Sequence, residues 1–185
     1  MKEGNSLDNQ GLTNPKILIE IQKLVDMMFQ GNSLHDNIVY SMATYLCVPH
    51  LYEFMHYSIS HEFPILADNI TDFAILRNDV IHRGALVENN KTYNNIVECL
   101  QDSYDCFIEI QKQVEIAIDS AIENKDKAFE DFLRSFNVDK ISLYIKQMKN
   151  LLDGAKSYAS SGILPLFNRD FKKYIILPSK WVKYN

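Results

Sequence analysis

From Pro15 onward the apolar positions fall at Ile17, Ile21, Leu24 and Met28, then Gly31 and His35, then Ile38, Met42 and Tyr45. Steps of four and three in turn keep these residues on one side of an α-helix, so the spacing predicts one long first helix with a core stripe. Gly31 is its weak point, costing about 1 kcal/mol against Ala in a helix interior, and marks a bend or a break. After Pro49, a second periodic segment runs through Ile59, Phe63, Leu66, Ile70, Phe73, Leu76 and Val80 to Gly84. His82 and Arg83 suit the negative end of a helix and Gly84 the position after it, which together read as a stop. Pro64 inside that segment predicts a kink or the true helix start.

The polar stretch Ala85–Thr92 reads as a connection crossing the molecule. A third helix follows, with Ile96, Leu100, Ser103, Phe107, Ile110, Val114, Ala117 and Ala121 on one stripe. Asn124–Asp126 predicts a short turn. A fourth helix then carries Phe129, Phe132, Phe136, Asp139, Leu143 and Leu151 and closes at Asp153 and Gly154. Ser160, Ser161 and Gly162 form a hinge before a short fifth helix over residues 163–174. No strand pattern and no short repeat interrupts the series. The organisation predicted is a polar, flexible tail over residues 1–14, one all-α bundle over residues 15–174 and a basic, aromatic tail over residues 175–185. The long connection lies between the second and third helices.

Composition narrows the partners. The chain has 185 residues, of which 46% are apolar, with a net charge of -5, enough for a single buried core. Lys and Arg form no dense run, so the electrostatic footprint of a nucleic-acid binder is missing. The three cysteines Cys47, Cys99 and Cys106 are an odd number and read as core thiols in a reducing compartment. Neither a secretory leader nor a membrane span is evident, so the expected location is the cytoplasm.

Several pieces, in order and spacing, resemble the ferritins. Tyr40-Ser41-Met42-Ala43-Thr44-Tyr45-Leu46 looks like their first bundle helix, and Arg83-Gly84 looks like the end of their second. The run IDSAIENKDKAFEDFLRSF from Ile118 to Phe136 looks like their third helix, short turn and start of the fourth. GILPLFNRDFKKY, from Gly162 to Tyr174, is similar to their short fifth helix. The resemblance implies a ferritin-like four-helix bundle with a long crossover. It also implies assembly into a hollow shell of twenty-four subunits, and intracellular storage of iron as Fe(II) and Fe(III).

In that family a two-iron site inside each bundle needs several carboxylates and a His, because two close cations must be neutralised by hard oxygen ligands. By alignment and by counting from landmarks, the positions fall on Asn32 in the first helix, Asn69 and Asp72 in the second, Phe107 in the third, and Asp139 with Lys140 in the fourth. Asp36 and Asp68 are acids close to those positions. A phenyl ring offers no lone pair and an ammonium repels cations. The resemblance therefore implies a degenerate ferroxidase centre, no stable pair of irons and little or no oxidase activity, with co-assembly with an active subunit as one route to function. Asn69 and Asp72 also read as a hydrogen-bonded polar pair, and Asp139 with Lys140 as a surface pair or a buried one. Glu130 and Asp131 occupy the place of the family's acidic three-fold channels, although acids are favoured at any helix start. His35 reads as a satisfied core histidine. His50, His56 and His61 with Glu53 and Glu62 read as a surface metal group or as an ordinary helix start. The alternative class is a protective, non-catalytic shell like the starvation-type small-shell proteins, which His35 and Asp36 on the first helix suggest.

Overall fold

The computed structural model describes residues 11–177, and within them the chain is an all-helical bundle. The first helix, α1 (Pro15–Thr44), starts where the Asn14 side chain accepts the Lys16 N–H at 2.9 Å and Pro15 occupies a position that needs no donor. Residues 11–14 are not a loose tail. Leu12 N–H donates to the Arg77 carbonyl, and the Thr13 hydroxyl bonds the Asp79 carboxylate in a buried setting. The rest of the expected tail, residues 1–10, lies outside the described residues, as does the end of the C-terminal one, residues 178–185.

Helix α1 passes Gly31 without a break. Gly31 is buried and abuts the Phe63 ring so closely that an added Cβ would fall 2.3 Å from Phe63 Cε1. A helix propensity penalty is thus accepted for ring packing. Gly31→Ala is expected to destabilise the protein by about 1 to 3 kcal/mol through overpacking, the reverse of the gain an exposed site would show. A chemical unfolding curve checks the sign, and a raised midpoint would contradict the packing.

The second predicted helix is assembled from three pieces: α2 (Pro49–Phe54), one π-helical turn (Met55–Ser60) and α3 (Glu62–Ile75). Pro64 sits in the first turn of α3 and has no N–H for the Ser60 carbonyl, which instead lies 3.3 Å from the Asn32 amide nitrogen. The helix ends at Ile75, nine residues before the expected stop. Asn78, at φ +57°, reverses the chain, and Asp79 N–H returns to the Ala74 carbonyl. His82, Arg83 and Gly84 therefore belong to the crossover, which spans residues 76–95 rather than Ala85–Thr92 alone. Polar side chains on α1 hold this segment. Gln22 receives the His82 N–H, Asp26 receives the Gly84 N–H, Gln30 bonds both Ala85 O and Val87 N, and Asn37 donates to Lys91 O. Gly84 is there for close approach, since a Cβ would meet Asp26 at 2.6 Å.

α4 (Ile96–Glu123) and the turn at residues 124–126 match the predicted third helix and turn. α5 (Lys127–Phe136), a π turn (Asn137–Ile141) and α6 (Ser142–Ser160) make the fourth. It does not close at Asp153 and Gly154; it continues to Ser160, with Gly154 making room for the Tyr174 ring. Gly162, at φ +71°, turns the chain into α7 (Phe167–Asp170), flanked by the 3₁₀ turns Leu164–Leu166 and Phe171–Tyr174. Cross-links fix the directions. Glu20 meets Gln113 and His35 meets Ser103, so α1 and α4 run opposite ways; Phe73 meets Phe132 and Glu62 meets Tyr144, so α3 opposes α5 and α6. The core runs the length of the bundle, with Ile17, Leu24, Phe107, Val114 and Leu151 all fully buried. No helix among the described residues is long and apolar enough to cross a membrane.

Candidate functional site

Midway along the bundle α1, α3, α4 and α6 converge on one layer of side chains. His35 from α1 is fully buried there. Its Nδ1 lies 2.7 Å from the Gly31 carbonyl and its Nε2 lies 2.7 Å from the Ser103 hydroxyl. A carbonyl only accepts, so Nδ1 carries the proton and Nε2 receives the Ser103 hydrogen in the neutral ring. Ser103 Oγ also lies 3.0 Å from Met148 Sδ on α6. The remaining walls are rings: Phe63 at 4.6 Å and Phe107 at 5.7 Å from the imidazole, centroid to centroid. Phe107 stacks on Phe63 at 5.0 Å and on Tyr144 at 5.2 Å. Tyr144 donates to Glu62 at 2.8 Å. Burial, followed by the bond to Glu62 and its charge, raises the Tyr144 phenol pKa well above its usual range. Burial lowers the His35 pKa to about 4, opposed only by the Gly31 carbonyl.

This layer stands where four helices meet, and its contents do not fit a pair of irons. Phe63 and Phe107 take the central volume, and the donors beside them are an imidazole with both nitrogens engaged, a hydroxyl and a thioether. Of the expected iron-ligand positions, Phe107 alone lies in this layer, beside the core histidine His35. Asp68, Asn69 and Asp72 lie on the exposed face of α3, and Asn69 merely donates to the Ile65 carbonyl one turn back. Counting back from Gly84 rests on a helix end that is at Ile75; the residues of this segment that turn inward are Glu62, Phe63, Leu66, Ala67, Ile70 and Ala74. Asp139 and Lys140 are both exposed in the second π turn, which excludes a buried ion pair between them. Asp139 accepts from Ser135 at 2.8 Å.

Asn32 and Asp36 are half-buried against the first π turn. Ser60 donates to Asp36 at 2.7 Å, and the Asn32 amide lies 3.1 Å from the same Ser60 hydroxyl. His56 and His61 approach to 4.5 Å between ring centroids, with Tyr57 edge-on to both. Burial and then the neighbouring His61 lower the His56 pKa, while Asp36 works the other way. His50 and Glu53 are exposed on α2, and Glu62 turns inward to Tyr144. Among the described residues no group of three or more His, Cys, Asp or Glu is placed to hold a metal ion. Glu130 and Asp131 share Lys127, at 3.3 and 2.9 Å, and Arg134 binds Glu130 at 2.9 Å. These cations blunt the negative potential the pair would otherwise set up. Cys99 is buried, Cys106 half-buried and Cys47 exposed, and none forms a disulfide.

Two features were missed in the sequence. Gln147 is fully buried and pins the C-terminal segment, accepting from Ile176 N and Leu177 N at 2.7 and 3.1 Å and donating to Tyr174 O at 3.2 Å. Nothing in its local spacing distinguishes it from a surface glutamine. The second is the polar ladder on α1, for which a signal existed: Gln22, Asp26, Gln30 and Asn37 lie on one side at steps of four, four and seven. No protein-family model matches this chain, and no curated protein matches it.

Proposed function

We propose that the chain is a ferritin-like four-helix bundle subunit that self-associates into a hollow cytoplasmic shell and sequesters iron with little or no ferroxidase activity of its own. The observation that carries this reading is the element order. Two long helical segments come first, a twenty-residue crossover strapped along α1 follows, and two further long segments and a short helix come after it. A crossover of that length lets the second and third helices run in the same direction, which a short loop cannot do. The aromatic layer accounts for the second half of the proposal. Replacing a cluster of carboxylates by stacked rings removes a charge burden that only bound cations would offset.

In this reading Fe(II) is cargo. It enters at subunit junctions and oxidises slowly on acidic surface residues, or it is oxidised by an active partner subunit in a mixed shell. Native mass spectrometry together with Fe(II) oxidation in air tests both halves. The expected result is a particle near twenty-four times the 21.5 kDa chain mass, with slow, non-saturating oxidation. A rapid phase saturating at two irons per chain would overturn the activity assignment, and a monomer would overturn the shell. A twelve-subunit particle would favour the protective small-shell class, although His35 and Asp36 are here engaged by Gly31, Ser103 and Ser60.

A further inference from the structure

Beside Gly31 the crossover does not close against α4. It leaves a groove of about 300 Å³ between α1, α4 and the extended segment. Leu34, Val87 and Ile110 supply apolar walls. The third wall is held in place rather than loose, because Gln30 bonds Ala85 O and Val87 N at 3.0 and 3.1 Å and Asn37 bonds the Asn89 side chain at 3.2 Å. Those contacts also commit the Gln30 amide and the Asn89 carbonyl oxygen. The charged side chains on the lining are two carboxylates, Glu88 and Glu109, and no Lys or Arg is among the lining residues. Glu109 is partly neutralised by Lys112 at 2.6 Å, in an exposed pair; Glu88 is exposed and is engaged by no cation among the described residues.

We propose that this groove is a binding site for a small organic cation, an ammonium group carried on a short apolar chain or ring. An apolar body leaves water for Leu34, Val87 and Ile110, while the ammonium stays at the rim beside Glu88, where it gains charge complementarity without full desolvation. An anion of the same shape meets two carboxylates and is disfavoured. The volume lies at the small end of ligand pockets, so the occupant is a small molecule. The site lies outside the central layer and does not depend on any iron chemistry.

Calorimetric titration of the full chain with octyltrimethylammonium, octanesulfonate and tetramethylammonium tests the site. The long-chain cation is expected to bind, the sulfonate with the same chain to bind about tenfold more weakly or not at all, and the chainless cation not to bind. Glu88→Gln, an exposed change that leaves the fold alone, is expected to weaken the long-chain cation about threefold. No binding of the long-chain cation, equal binding of cation and sulfonate, or an unchanged affinity in Glu88→Gln would each overturn the proposal.

Discussion

Phe107→Ala is expected to lower the unfolding free energy by about 4 kcal/mol, measured as a shift of the urea midpoint followed by far-ultraviolet circular dichroism. The ring is fully buried and is the hub of the central layer, stacked on Phe63 and Tyr144 and tilted against His35. Its removal deletes the transfer free energy of a phenyl group and leaves a cavity bounded by rigid rings from α1, α3 and α6, which cannot collapse without shifting those helices. Phe107→Leu keeps part of the volume and is expected to cost markedly less. Phe107→Glu extends the test to function. If the centre lacked only its third-helix ligand, that variant would gain tight Fe(II) binding. The expected outcome is an unstable protein with no new site, because the neighbouring donors are already engaged and Asp72 lies on the outside of α3. A folded Phe107→Glu protein that bound two irons tightly would sink this account of the interior.

The spacing of Ile96 to Ala121 located α4 and put Phe107 inside because a long helix with one apolar stripe has a single way to bury it. The same logic placed His35 correctly in the core. The second helix was harder to read. His82-Arg83-Gly84 has the composition of a helix end, yet these residues run extended along α1, held by Gln22 and Asp26 from about sixty positions away in sequence. A tertiary ladder overrides the local signal, and with it the placement of Asn69 and Asp72, which depends on a helix end at Gly84. Gly31 and Gly154 differ from their local signals for a related reason. Each looked like a weak point or a stop, and each is a recess for an aromatic ring from another element, Phe63 or Tyr174. The sequence does contain these rings, but nothing local to the glycines says where the rings will be. The fourth-helix candidates Asp139 and Lys140 fell on a π turn, whose extra residue rotates the following register, so that Tyr144, Gln147 and Met148 face inward instead.

Acid is expected to weaken the fold through His35, and the sign follows from its burial. The unfolded imidazole titrates near 6.5 and the folded one near 4, because a fully buried cation loses hydration and gains only the Gly31 carbonyl in return. Between those values the unfolded chain binds a proton that the folded chain does not. Stability therefore rises with pH across the window, is fully present above pH 6.5, and is lost as pH falls toward 4. At about 1.4 kcal/mol for each pH step, roughly 3 kcal/mol disappears by pH 4. Among the described residues no carboxylate offsets the charge. The groups facing the ring are Gly31 from its own helix, Phe63 from α3, Ser103 and Phe107 from α4 and Met148 from α6 through Ser103, while Glu62 is engaged by Tyr144 on the far side of the rings. Urea unfolding of the wild type and of His35→Gln at pH 7, 5.5 and 4 isolates this contribution. The variant has a lower stability at pH 7 but a flatter decline, because glutamine keeps hydrogen-bonding capacity without a titrating nitrogen. Equal declines in the two proteins would mean that the folded protein takes up the His35 proton as readily as the unfolded chain does, and would overturn the lowered pKa. A protonated ring could still use Nε2–H toward Ser103, passing the serine hydrogen to Met148 Sδ, so the relay lessens the penalty without removing it.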